Sequence, residues 1–163
     1  MDQNSKLDEL SIIIPIFNEE RNIEKLFTKI NRYLTIKKYE VIFIDDNSKD
    51  NTKKILQNIN KKNKKLKYII RKKKNKDLSK SCIMGFNKSK YKNILVMDGD
   101  LQHDPMYIPK FIKNFNQSYS DVVVGCRDFF GKKNKGLSLF RTICSIFIIF
   151  LINICLGKKT NDP

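Results

Sequence analysis

The stretch that decides the fold is Leu10–Phe17, which reads LSIIIPIF, an apolar and β-branched run with a proline near its end. A continuous apolar run of this length predicts a strand that is buried on both faces. The residues from Asn18 to Leu34 place acids in a first turn and apolar side chains at helical spacing, which predicts a helix. A strand followed directly by a helix is the first half of an α/β unit.

The same alternation continues along the chain. Further apolar runs predict strands at residues 39–45, 66–71, 93–97 and 121–125. Helical spacing predicts helices at residues 52–60, 79–88 and 108–115. This order is typical of an α/β fold with a mostly parallel sheet flanked by helices, in which ligands bind beyond the carboxyl ends of the strands.

The strongest chemical signal is Asp98-Gly99-Asp100, directly after an apolar strand. In extended chain, residues two apart point to the same face, so both carboxylates can reach one hard divalent cation. Gly99 allows a ligand or a neighbouring backbone to approach closely. For a D-x-D taken alone, a solvated turn with two acids is the favoured interpretation. The alternative is a metal site in which the cation bridges a nucleotide diphosphate and neutralises charge on a leaving group.

Composition limits the number of domains and the class of partner. The 163 residues suffice for one packed domain, and a hydrophobic content of 40% excludes a wholly disordered chain. The formal net charge of +16 favours an anionic partner: nucleotide phosphate, an anionic bilayer or nucleic acid. Part of the lysine excess is equally well explained as a compositional bias of the genome.

The four cysteines lie at positions 82, 126, 144 and 155 and form no C-x-x-C pair, which favours reduced, mostly buried thiols in a cytosolic setting. The first ten residues lack the charged and apolar regions of a secretory signal. We therefore expect the active part of the protein on the cytoplasmic side.

Four segments, in order, resemble the family 2 glycosyltransferases with a GT-A fold. They read SIIIPIFNEE, FIDDNSKDNT, MDGDLQHDP and VVVGCRD and begin at Ser11, Phe43, Met97 and Val122. The D-x-D-L-Q-H sequence looks most like the branch that charges dolichyl or polyprenyl phosphate with a sugar. The resemblance implies an inverting transferase that uses a nucleotide-diphosphate sugar, GDP- or UDP-linked. GDP-mannose, UDP-glucose and UDP-linked amino sugars are the alternatives that stay open, with GDP-mannose as the first expectation from the resemblance.

The resemblance also implies roles for single residues in donor binding. Pro15, Phe17 and Glu19 stand where the family's P-x-Y-N-E segment lines the nucleotide pocket, with phenylalanine in place of the usual tyrosine. An ordinary strand end explains Pro15 and Phe17 equally well. Asp46 matches the position that contacts the base or ribose, whereas Asp45 holds the turn.

Asp98, Gly99 and Asp100 match the family's metal and diphosphate site, and Gln102 matches a residue beside the metal. The resemblance therefore implies Mg²⁺ or Mn²⁺ as cofactor, and carboxylate sites accept both ions. Arg127 matches a basic residue that meets phosphate, and its planar fork suits that task; an exposed surface arginine is the alternative. Arg141 resembles a further basic position near the acceptor phosphate.

His103 is the single histidine of the chain, but we do not expect it to act as a general base. A phosphate acceptor is largely ionised near neutral pH, because its second pKa is about 6. Such an acceptor attacks the anomeric carbon directly, and a single displacement inverts its configuration.

The predicted organisation is a tail over residues 1–9, a GT-A domain over 10–130, and a basic loop with an apolar helix over 131–163. The apolar stretch 143–156 is shorter than the ~20 residues that span a bilayer, so an interfacial helix is favoured over a core helix. The sequence ends at Thr160–Pro163, where the resembled branch continues, so the chain looks truncated.

The combined expectation is a peripheral enzyme at the cytoplasmic face of a membrane that uses a polyprenyl phosphate acceptor and binds no nucleic acid. Three alternatives stay open. They are a family 2 transferase that extends a glycan, an inactive GT-A-fold binding protein, and a nucleic-acid-binding domain driven by lysines, for which no aromatic-and-basic motif is present.

Overall fold

The computed structural model describes residues 7–72, 76–118 and 121–125. The described strands are β1 (Glu9–Ile16), β2 (Lys38–Asp45), β3 (Leu66–Ile70) and β4 (Ile94–Val96). The helices are α1 (Ile23–Tyr33), α2 (Thr52–Lys62), α3 (Leu78–Lys88) and α4 (Ile108–Gln117), with a 3₁₀ turn at Pro105–Tyr107. The predicted alternation of strands and helices is therefore confirmed.

The four strands form one sheet in the order β3-β2-β1-β4, and all neighbouring pairs are parallel. The central strands β1 and β2 pair along their full length, from Glu9 opposite Lys38 to Ile16 opposite Asp45. Because all strands run in one direction, their carboxyl ends meet at one edge of the sheet. The loops after the strands are therefore gathered at that edge.

Alternating side chains of the sheet face two separate helical layers. On one face, Ile12, Ile14 and Phe43 belong to a core that includes Leu26 of α1 and Leu56 of α2. Residues of one strand two positions apart point to the same face, so the other face is lined by the intervening residues. There, Ile13, Ile42 and Ile44 pack with Met84 of α3. Both faces of the sheet are thus covered by helices, which explains the continuous apolar runs in β1 and β2.

The predicted strand at Asp121–Gly125 is wrong, because those residues are not in a strand in the structure. A valine run has high β propensity, but that propensity depends on packing against neighbouring strands.

The chain divides into two compact units, residues 1–121 and 122–163. The basic loop and the apolar stretch 143–156 lie outside the described residues, so the domain boundaries stay predictions. Within the part that the structure describes, no helix combines the length and the apolar character needed to cross a bilayer.

Candidate nucleotide-sugar site

The carboxyl edge of the sheet carries the acidic residues that the sequence singled out. Three non-glycine residues with positive φ lie in its loops: Asn18 (57°), Asn47 (63°) and Leu101 (67°). Asparagine tolerates this left-handed conformation, but for leucine it is a strained one. Strain of this kind concentrates where a loop is held for a purpose other than packing.

The loops after β1 and β2 are locked together by hydrogen bonds. The backbone N–H of Asn18 donates to Ser48 Oγ (2.8 Å), and the N–H of Lys49 donates to Asn18 Oδ1 (2.9 Å). Asp45 Oδ1 accepts the N–H of Ser48 at 3.0 Å. The prediction that Asp45 holds the turn is therefore confirmed.

Pro15 sits in the buried central strand β1 without disrupting the sheet. The side of β1 that faces β4 carries the N–H of Ser11, which donates to Asn93 O, and the carbonyl of Ile13, which accepts from Met97 N. Pro15 falls on the same side two residues later, beyond the last paired residue of β4. The absence of an N–H on Pro15 therefore removes no hydrogen bond between β1 and β4, as expected for proline at a strand end.

Phe17 follows β1 and is half-buried. The Lys76 ammonium lies 3.5 Å from the centroid of its ring, a cation–π contact. Lys76 belongs to the loop between β3 and α3. The structure therefore brings a cation, which sequence reasoning missed, onto a side chain predicted to line the nucleotide pocket.

Glu19 and Gly99 bring the loops after β1 and β4 together. The N–H of Glu19 donates to Thr52 Oγ1 (3.0 Å), and its Oε2 accepts from Asn22 Nδ2 (2.6 Å). A Cβ atom on Gly99 would lie 2.5 Å from Ile16 Cγ2 and 3.6 Å from Glu19 Cγ. The D-x-D backbone is therefore pressed against the end of β1, and this close approach requires glycine.

Asp98 and Asp100 flank that glycine and are exposed. Asp100 Oδ1 accepts the N–H of Gln102 (2.9 Å), which shapes the turn after the two acids. His103 Nδ1 accepts the N–H of Asp98 (3.2 Å) and lies 3.5 Å from Asp98 Oδ2. With its Nδ1 accepting this backbone N–H, the imidazole supports the loop after β4. The expectation that His103 does not act as a general base stays a prediction.

The loop continues to Asp104, which anchors it to α1. Its Oδ1 accepts the N–H of Met106 (3.1 Å), and its Oδ2 lies 3.3 Å from the Lys29 ammonium. The hydrogen bond from Met106 and the charge of Lys29 lower the pKa of Asp104, although partial burial opposes them. The segment after β4 is thus fixed at both ends, by Gly99 and by Asp104.

The two carboxylates fit a divalent cation that is completed by a diphosphate. No group of three or more His, Cys, Asp or Glu side chains suited to a metal occurs among the residues that the structure describes. Mg²⁺ usually takes one or two protein carboxylates and completes its shell with water and substrate phosphate oxygens. Two exposed carboxylates on a braced loop match that donor set.

Asp46 is tied to a buried arginine. Its carboxylate forms an ion pair with Arg71 Nη1, and its Oδ2 accepts the N–H of Asp77 at 2.6 Å. Arg71 also donates to Asp77 O (2.9 Å) and Ser81 Oγ (3.1 Å). The role of Asp46 at the base or ribose stays a prediction, but its carboxylate already orients Arg71 and the start of α3. Sequence reasoning missed Arg71, although a charge at the carboxyl end of a predicted strand is a signal.

Cys82 of α3 is partly buried and free. Burial raises the pKa of its thiol, and the negative charge of Asp98 raises it further. The thiol is therefore protonated at neutral pH. Arg127 and Arg141 lie outside the described residues, so their roles stay predictions.

The fold and the edge site define the class: a GT-A-type α/β domain with a D-x-D motif at the carboxyl edge of its sheet. Residues 11–160 match the family model described as glycosyl transferase family 2, so the chain belongs to that family.

Known relatives and solved structures support this assignment. The chain is 36% identical to a dolichol-phosphate mannosyltransferase of Pyrococcus furiosus, over 95% of this chain and 44% of the relative. It is 30% identical to an undecaprenyl-phosphate 4-deoxy-4-formamido-L-arabinose transferase of Proteus mirabilis, over 96% and 47%. It thus spans about half the length of these relatives. Its fold is similar to that of glucosyl-3-phosphoglycerate synthase from Mycobacterium tuberculosis, solved with Mn²⁺, UDP and glucosyl-3-phosphoglycerate (TM-score 0.56, 16% identity, 69% of this chain and 41% of the other).

Proposed function

We propose that this chain carries the donor-binding part of a glycosyltransferase that moves a sugar from a nucleotide-diphosphate sugar to a polyprenyl phosphate. The observation that carries the proposal is the placement of Asp98 and Asp100 at the carboxyl edge of the sheet, braced against Glu19 through Gly99. Ligands of open parallel sheets bind at this edge.

In this proposal the two carboxylates hold a divalent cation, which neutralises charge on the departing nucleoside diphosphate. Phe17, Glu19 and the Asp46–Arg71 pair border the region where the nucleoside would lie. The chain's contribution is to bind and orient the donor, since a phosphate acceptor is already ionised near neutral pH and needs no base. A single displacement then inverts the anomeric configuration.

The acceptor is proposed from the relatives, whose names specify dolichol phosphate and undecaprenyl phosphate. The net charge of +16 suits a phosphorylated lipid in an anionic bilayer. Arg127 would meet phosphate on the donor or acceptor, Arg141 the acceptor phosphate, and the stretch 143–156 the interface. A peripheral position at the cytoplasmic face follows from these roles and is part of the proposal.

The test is calorimetric titration of the full chain with GDP, UDP and their common sugar conjugates, with and without Mn²⁺. We expect one nucleotide to bind in a metal-dependent manner. Asp100→Ala should weaken that binding and reduce transfer of labelled sugar to polyprenyl phosphate by about a hundredfold or more, because metal stabilisation of the leaving charge is worth several kcal/mol.

The matched control is Asp8→Ala, which removes an exposed acid that pairs with Lys38 at 3.8 Å, away from this site. Both variants should melt like the parent chain, and Asp8→Ala should keep its activity. Full transfer activity in Asp100→Ala would exclude the metal mechanism. Nucleotide binding by the parent chain without any transfer would instead identify a GT-A-fold binding protein.

A further inference from the structure

A lysine-rich cleft lies at the amino edge of the sheet, opposite the D-x-D loop. It is formed by the start of β2, the segment between α2 and β3, and the segment before β4. Its volume is about 540 Å³. The lining residues that matter are Glu40, Lys62, Lys64, Lys65, Lys67 and Lys90. In a parallel sheet the amino and carboxyl ends of the strands are at opposite edges, so this cleft is separate from the proposed donor site.

The charge of the cleft is strongly unbalanced, with five lysines beside a single acid. That acid, Glu40, is only 3% exposed and is already engaged. Its Oε1 accepts from Ser11 Oγ (2.7 Å) and Lys90 N (2.5 Å), and its Oε2 lies 2.6 Å from Lys67 Nζ. The acid therefore neutralises Lys67 and leaves the other ammonium groups without a carboxylate inside the cleft.

Several lysines are held in position, which distinguishes the cleft from a scatter of mobile side chains. Lys65 Nζ lies 4.0 Å from the centroid of the Tyr39 ring, and Lys90 Nζ lies 5.2 Å from that of Tyr91. The N–H of Lys65 also donates to Asn63 Oδ1 (3.0 Å), which fixes the turn before β3. Like charges gathered in one cleft repel one another, and a bound anion would relieve that repulsion.

We propose that this lysine cleft binds a phosphate-bearing anion at a site separate from the donor site. Ammonium groups bind phosphate oxygens as point charges and form charge-assisted hydrogen bonds with them. Five such groups suit a ligand with more than one negative charge. Either a soluble diphosphate or the phosphomonoester headgroup of a lipid supplies this chemistry.

The test uses the full chain without divalent cations, so that the metal-dependent donor site does not bind the probe. One probe is pyrophosphate at low ionic strength, and the other is phosphatidylcholine vesicles with or without phosphatidic acid. The cleft variant is Lys62→Glu with Lys64→Glu, two exposed positions that leave the Glu40–Lys67 pair intact. The matched control is Lys110→Glu with Lys113→Glu, exposed positions on α4 that change the net charge equally.

We expect the cleft variant to lose about tenfold or more in affinity, since each charge-assisted hydrogen bond is worth more than a neutral one. The control should lose far less. A loss confined to pyrophosphate identifies a soluble ligand, and a loss confined to phosphatidate vesicles identifies a lipid headgroup; either result supports the site. Equal affinities of the cleft and control variants, or a parent chain that binds neither probe, would overturn the proposal.

Discussion

At the residue scale, Arg71 and Asp46 show how the donor edge is built around a buried charge pair. Arg71 is 4% exposed and Asp46 is 8% exposed, so neither charge is well solvated. The pair is supported by Ser81 Oγ and by the backbone of Asp77. A buried pair with satisfied hydrogen bonds fixes geometry, here the relative position of β2, β3 and the start of α3.

We predict that Arg71→Ala destabilises the chain by about 3–5 kcal/mol, because it leaves the buried Asp46 carboxylate uncompensated. Urea unfolding measures the loss. The double variant Asp46→Asn with Arg71→Met should lose less free energy of unfolding than the sum of the losses in Asp46→Asn and Arg71→Met, since removing both charges leaves no unpaired charge buried. Strictly additive losses would show that the two side chains do not stabilise each other.

Gly99 is the second residue on which the site depends, because it sets the distance between the D-x-D loop and β1. We predict that Gly99→Ala lowers metal-dependent nucleotide affinity by about tenfold or more, as overpacking costs of about 1–3 kcal/mol must be relieved by moving the loop. Isothermal titration with Mn²⁺ measures the affinity.

The control for Gly99 is the double variant Gly99→Ala with Ile16→Ala, which removes the Cγ2 atom that the new methyl group would meet. This variant should regain nucleotide affinity, although the lost Ile16 side chain costs about 2–5 kcal/mol of stability. If Gly99→Ala bound nucleotide with the affinity of the parent chain, the close approach of the D-x-D loop to β1 would not matter for nucleotide binding.

At the element scale, the sequence predicted all four described strands, central and edge alike, to within one residue at each end. The bounds of β1 and β2 agree with prediction within one residue, because both are continuous apolar runs buried under helices. β4 comprises only Ile94–Val96, and its Ile94 and Val96 are 40% and 47% exposed. Strand formation depends on neighbouring strands, which a local pattern does not contain, and the valine run at residues 121–125 was therefore predicted wrongly.

The candidate site was likewise predictable only where it depends on the order of the strands. Glu19, Asp46 and Asp98 were predictable as neighbours, because the carboxyl ends of parallel strands meet at one edge. The Asp46–Arg71 pair was not, since it depends on the register of β3 against β2, in which Asp45 lies opposite Ile70. The Lys76–Phe17 contact likewise depends on the path of a loop after β3.

Helix α3 packs unusually close to the sheet. A Cβ atom on Gly85 would lie 2.3 Å from Ile13 Cγ2. We predict that Gly85→Ala destabilises the chain by about 1–3 kcal/mol through overpacking, even though alanine is the better helix former by about 1 kcal/mol. Thermal unfolding measures the change. Asn87→Ala, at an exposed position of the same helix, should be neutral or slightly stabilising; a stabilising Gly85→Ala would contradict the close packing.

At the scale of the whole molecule, the two edges of the sheet are held by different polar networks. The carboxyl edge carries the D-x-D loop and the Asp46–Arg71 pair. The amino edge is tied by Glu40 of β2, which contacts Ser11 of β1, Lys67 of β3 and the backbone of Lys90 before β4. One carboxylate of β2 therefore links β1, β3 and the segment that precedes β4.

Glu40 also gives the fold a specific sensitivity to acid. Burial alone would raise the pKa of Glu40, but the ion pair with Lys67 and the hydrogen bonds from Lys90 and Ser11 outweigh it and bring the pKa below its usual 4.5. A carboxyl whose pKa is lower in the folded than in the unfolded chain stabilises the fold above the unfolded value. That contribution is lost as the pH falls through the lower folded value.

We therefore predict that Glu40→Gln costs about 1–3 kcal/mol at neutral pH, the worth of hydrogen bonds to a charged group. The difference from the parent chain should shrink as the pH falls below 4.5, where the parent's own carboxyl becomes protonated. Urea unfolding at neutral pH and at about pH 3 measures both quantities.

Glu24→Gln, at an exposed position of α1, is the control and should change stability little at either pH. A penalty for Glu40→Gln that is the same at both values would mean that Glu40 acts through its shape rather than its charge.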